Sequence, residues 1–243
     1  MFDRKEYITP YMKEYRITHI DSIRASERSR YSNARRNALE ILGGICAECN
    51  ESEIEFLTID HVNNDGNLEV KHHKQIFFDI IKGRSDNSRF QVLCRNCNSG
   101  KLNELIHNKL PESSHSFNGD PCKRCNNTKI TRTSFDAVYG IRNRSECLFC
   151  KKQEGIDLKI SVISSLGGKC NCCSQSEMRK LTIDHVSNNG MDLRRTDRCG
   201  TTYFYRKFLD GSLDTSFYQV LCWNCNFSKF LGDGLCVHLR KEV

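Results

Sequence analysis

Twelve of the fifteen cysteines in this 243-residue chain fall in CxxC pairs. Paired thiols separated by two residues are the ordinary donor set of tetrahedral zinc. Six pairs make three sets of four: Cys46, Cys49, Cys94 and Cys97; Cys122, Cys125, Cys147 and Cys150; Cys170, Cys173, Cys222 and Cys225. Three structural zinc ions are therefore expected. Cys172 sits inside the run CNCC and is an alternative to Cys173 as a ligand. Cys172, Cys199 and Cys236 are left over and read as free thiols. The opening MFDRKEYITPYMKEY has no apolar core segment, so it does not read as a secretory signal, and disulfides are not expected.

The thiols are embedded in a repeat. GGICAECN at 43–50 returns as GGKCNCCS at 167–174, LTIDHV at 57–62 returns unchanged at 181–186, and QVLCRNCN at 91–98 returns as QVLCWNCN at 219–226. The offset is 124 up to the Asp-His pair and 128 from the second cysteine pair onward, so the second copy carries four extra residues between them. Besides thiol ligands, the repeat duplicates a possible catalytic pair, Asp60-His61 and Asp184-His185. Imidazole is suited to proton transfer near neutral pH.

Local sequence says how these groups are positioned. The Gly-Gly pair lets the backbone turn sharply before the first CxxC. FLTIDHV is β-branched and apolar and predicts a strand, with Leu57, Ile59 and His61 on one face and Thr58 and Asp60 on the other. NNDG and SNNG are turn signals. FQVLC predicts a second strand, and NSGKLNELIH a helix starting near Asn98. The expected fold class is α+β: two tandem zinc-clamped ββα-metal repeats with a four-cysteine zinc finger between them. The expected segments are a basic helical leader at 1–42, repeat one at 43–108, a linker at 109–120, the finger at 121–152, repeat two at 156–232 and a tail at 233–243. No module is long enough to rest on a hydrophobic core alone.

CxxC, then Asp-His, then LCxxCN closely resembles the HNH (His-Me finger) nucleases, especially their zinc-containing endonuclease VII-like branch. CKRCNNTK with CLFCKK resembles the four-cysteine finger that accompanies such phage and mobile-element proteins. The resemblance implies His61 and His185 as general bases. It implies Asp60 with Asn98, and Asp184 with Asn226, as ligands of a catalytic divalent ion. Oxygen donors suit magnesium or manganese rather than zinc. The chain departs from the family in two places. Asn63 and Ser187 stand where a further polar ring is common, and the middle asparagine has only Asn64 and Asn189 as candidates.

The formal charge is +7, but twelve thiolates against three dications would bring it to about +1. Local clusters must therefore carry any contact with phosphate. The candidates are Arg28, Arg30, Arg35 and Arg36 in the leader, Lys101 and Lys229 three residues after each CxxCN asparagine, and Arg194, Arg195 and Arg198 in the second repeat. The expected partner is nucleic acid, DNA foremost. The two repeats would form a pseudo-dimer within one chain, inside a host cell or in a virion and as part of a larger phage or host complex. With 38% hydrophobic residues and no long apolar run, no membrane span is expected. The competing function is a non-catalytic zinc scaffold that binds nucleic acid, as a transcription accessory or an assembly component.

Overall fold

The computed structural model describes residues 4–66, 73–108, 122–126, 131–136, 140–188 and 200–241. The chain is α+β, its described sheets are three antiparallel hairpins, and it divides into two compact units, Met1–Cys94 and Arg95–Val243.

The first unit begins with helices α1 (Arg4–Thr18) and α2 (Ile20–Ile41). The Thr18 hydroxyl donates to the carbonyls of Glu14 and Tyr15 and closes the last turn of α1. Helix α2 ends on Gly43 and Gly44, whose φ values of 103° and 67° are open to glycine at little cost. Strand β1 (Leu57–His61), helix α3 (His73–Ile81) and strand β2 (Phe90–Cys94) complete the unit. Ala38, Ile80 and Phe90 form one buried cluster, with Leu42, Ile59, Ile76, Phe77 and Ile81 packed around them, and Leu39, Phe56, Leu57 and Val92 are buried as well. Structural zinc contributes roughly 10–16 kcal/mol of apparent folding free energy in small zinc-finger peptides.

The second unit opens with α4 (Arg95–Asn108) and continues through β3 (Thr131–Asp136), β4 (Gly140–Cys147) and α5 (Leu148–Ser165). Then come β5 (Leu181–His185), α6 (Thr201–Leu209), β6 (Tyr218–Cys222), α7 (Trp223–Leu231) and the short α8 (Val237–Arg240). Val162, Ile163, Leu181, Phe208, Val220 and Leu221 are buried. Phe204, Phe208 and Tyr218 meet edge to face or tilted at 5.2–6.3 Å.

Hairpins β1–β2 and β5–β6 share one register. Leu57 faces Cys94 and His61 faces Phe90 in the first; Leu181 faces Cys222 and His185 faces Tyr218 in the second. Helix α5 ends as α2 does, on a glycine pair, Gly167 and Gly168, with φ values of 97° and 67°.

Helix α5 runs unbroken from the finger's last cysteine pair to the second Gly-Gly, across 152–156. Helix α4 groups with the second unit because it packs on α7. The N–H of Asn96 donates to Oδ1 of Asn224 at 2.9 Å, and the N–H of Asn224 donates to Oδ1 of Asn96 at 3.1 Å. Each asparagine thus satisfies a donor in the first turn of the other's helix, where no intrahelical partner exists. The linker at 109–120 lies outside the described residues. Among the described residues no helix is long and apolar enough to cross a membrane.

Candidate metal centres and acidic-histidine cavity

Each first CxxC is a knuckle docked on the strand that delivers the second. The N–H of Ala47 donates to Val92 O, and that of Asn171 to Val220 O, both at 2.9 Å. The turns close through Asn50 and Ser174, both at φ 60°. Cys46, Cys49, Cys94 and Cys97 are thereby grouped, as are Cys122, Cys125, Cys147 and Cys150, and Cys170, Cys173, Cys222 and Cys225; within each group the ligand atoms lie within 4.8 Å of one another. Sulfur–sulfur edges are 3.7 Å for Cys49–Cys94, 3.8 Å for Cys125–Cys147 and 3.7 Å for Cys173–Cys222. A tetrahedron of thiolates about 2.3 Å from zinc has edges of about 3.8 Å. The residues fit the ion.

The thiols of a group differ in acidity. The N–H of Cys147 donates to the sulfur of Cys122 at 3.1 Å and holds that thiol down at about 6. Burial pushes Cys150 up to about 12. Four clustered thiolates repel one another, and a dication relieves that repulsion.

A fourth group is present. Cys172, Cys225, Cys236 and the imidazole of His238 also lie within 4.8 Å of one another. Cys172 and Cys236, left over in the sequence, therefore stand in a group that could hold a metal ion. The tail folds back onto α7 and carries Cys236 beside Cys172, so four ligand groups stand where three were expected. Cys199 lies outside the described residues.

The Asp-His pairs end strands β1 and β5. Gln91 donates from Nε2 to Oδ2 of its cross-strand partner Asp60 at 2.9 Å, and Gln219 to Oδ2 of Asp184 at the same distance. The rings of His61 and His185 lie 5.0 and 4.9 Å from those of Phe90 and Tyr218, also their cross-strand partners. The glutamines went unremarked in the sequence, although they open the repeated string QVLC. Asn64 and Asn188 are the matched turn residues, at φ 56° and 57°, each donating its N–H to the carbonyl of the preceding histidine. Asn189 lies outside the described residues. An asparagine at this place serves the left-handed turn.

Asp184, His185 and Asn226 line one cavity of about 610 Å³ in the second unit, together with Arg95, Asn98 and Trp223. The first turns of α4 and α7 both border it, and Arg95 brings a positive charge to its lining. Lys229 is corrected as a phosphate contact. It is buried, and its ammonium donates to Asp184 Oδ2 at 2.6 Å, His185 O at 2.6 Å and Val186 O at 3.0 Å. A magnesium- or manganese-type ion needs oxygen donors. Asp184 and Asn226 offer a carboxylate and an amide, and the contacts of Lys229 and Gln219 both fall on Oδ2. The set fits an ion that keeps most of its ligands as water.

Arg35 also has partners within the protein. It is half-buried, donates to the carbonyls of Ile54 and Leu57, and holds the entry to β1. Burial pulls its pKa down. Arg30 lies over the Phe78 ring at 4.9 Å. Arg28 and Arg36 are exposed, Lys101 is half-buried on α4, and Arg194, Arg195 and Arg198 lie outside the described residues. Compared with protein-family models, curated proteins and solved structures, the chain matches none.

Proposed function

We propose that the chain is a nuclease of HNH type, with two tandem ββα-metal repeats that hydrolyse phosphodiester bonds in nucleic acid, DNA foremost. The observation that carries this reading is the cavity. Asp184 and His185 on β5 and Asn226 on α7 are some forty residues apart, yet they line one water-accessible space beside Arg95. His185 accepts a proton from the attacking water, its ring held against Tyr218. Arg95 binds the phosphate. A divalent ion on Asp184 and Asn226, when bound, supplies charge stabilisation at the phosphoryl and leaving oxygens. His61 takes the same role for the first repeat, beside Asp60. The four-thiolate groups hold structural zinc.

One observation favours the scaffold reading. Oδ2 of Asp184 already carries a buried ammonium, which a purely structural carboxylate would also do. Incubation of the chain with supercoiled plasmid and magnesium or manganese separates the two. Wild type should linearise the plasmid, His61→Ala or His185→Ala should only nick it, and the double variant should leave it intact. Full cleavage by the double variant removes both histidines from the mechanism. Binding without cleavage on duplex, branched and single-stranded substrates leaves the scaffold.

A further inference from the structure

Cys225 belongs to two ligand groups at once: one with Cys170, Cys173 and Cys222, the other with Cys172, Cys236 and His238. We infer that the second unit holds a binuclear zinc cluster in which the Cys225 thiolate bridges the two ions, giving four zinc ions per chain.

Three distances carry this. Nδ1 of His238 lies 3.6 Å from the sulfurs of Cys172, Cys225 and Cys236 alike. For a zinc ion with sulfur at about 2.3 Å and nitrogen at about 2.05 Å, the nitrogen–sulfur edge of a tetrahedron is about 3.6 Å. One nitrogen equidistant from three sulfurs at that length is the apex of such a tetrahedron. A single hydrogen bond from an imidazole would shorten one contact and leave the others longer.

The tail is built to deliver the last two ligands. Ser228 on α7 is fully buried. Its hydroxyl oxygen accepts from the N–H of Val237 at 2.8 Å, between Cys236 and His238, and from Arg240 at 3.1 Å. Gly232 permits the fold-back, since a Cβ there would stand 2.4 Å from the carbonyl oxygen of Leu235. These contacts orient the ligands, as outer-shell hydrogen bonds do in zinc sites.

Charge favours the bridge. Six thiolates, one neutral imidazole and two dications leave −2 on the cluster, the residue that a single four-thiolate site leaves around one ion. Two further thiols stand beside that site, Cys236 buried and Cys172 partly so, and a second ion is what would let both lose their protons. The first repeat has no counterpart: Glu48, Asn108 and Leu110 stand at the positions of Cys172, Cys236 and His238. The device belongs to one repeat only.

Native mass spectrometry of the zinc-loaded full chain counts the ions. Four are expected for wild type, and three for Cys236→Ser and for His238→Ala. Three in wild type, or four retained by His238→Ala, overturns the inference. The bridge itself is read after substitution with cadmium-113. The Cys225 Hβ protons should correlate with two cadmium resonances in wild type and with one in His238→Ala. Correlation with one resonance in both proteins means separate sites and refutes the bridge. The zinc count is independent of cleavage, so it stands apart from the nuclease proposal.

Discussion

Replacing Lys229 by methionine tests the buried charge network behind Asp184 in the cavity wall. Methionine keeps most of the apolar stem and removes the ammonium. All three ammonium protons are used in the wild-type chain, on Asp184 Oδ2 and the carbonyls of His185 and Val186. The two side chains are 6% and 11% exposed, so solvent screens the pair little. Removing one member of a buried ion pair costs roughly 3–5 kcal/mol, because the partner charge stays buried. About 4 kcal/mol is a nearly thousandfold shift in the folding equilibrium. At an m-value of about 2–3 kcal/mol/M it lowers the urea midpoint by roughly 1.5–2 M. Trp223, the single tryptophan, lines the same cavity and reports the transition by fluorescence. Asp184→Asn should lose a comparable amount, and the double variant should recover much of it, since no uncompensated charge remains. A Lys229→Met midpoint within 0.2 M of wild type would refute this account, as would a double variant that loses the sum of the two.

Gly66→Ala should displace the His61 ring, because a Cβ there meets Nδ1 at 2.9 Å. NMR should show shifted His61 ring signals, and unchanged ones would sink the idea. Asn224→Ala strips the acceptor from the buried N–H of Asn96 and should cost about 1–3 kcal/mol by urea titration; a neutral result would mean water replaces it. Asp86 and Asp214, each accepting from the hydroxyl and N–H of the serine two residues on, sit below the ordinary aspartate value of 3.8, the hydroxyl contact being the larger cause. Their contribution to stability is present above the unfolded value and lost as pH falls through the lower folded value. Carbon-13 carboxyl titrations should give midpoints below 3.8 for both, and Ser88→Ala should return Asp86 toward it.

The repeated strings made the two matched hairpins legible, because a five-residue apolar strand ending in Asp-His can pair with QVLC in few registers. CxxC spacing made three ligand groups legible for the same local reason. The fourth was hidden, because Cys236 and His238 sit only two residues apart in a tail with no partner pair. Only the fold-back through Gly232 and Ser228 brings them to Cys172. The spacing of Lys229 after Asn226 does not say that α7 turns its ammonium toward Asp184. Helix α5 joins the finger's last cysteine pair to the second repeat, and the CxxC spacing carries no signal for it.

The exchange between Asn96 and Asn224 joins two helix starts that a two-chain assembly would have to keep identical. In a homodimer every substitution is written into both halves. Here the halves share one chain, so Arg95 on α4 has Trp223 as its counterpart on α7, and Gly100 has Ser228. The cavity they border has no two-fold axis. Under the nuclease proposal, a strand in this cavity would meet a cation from one helix and an indole from the other, and a palindromic target would not be required.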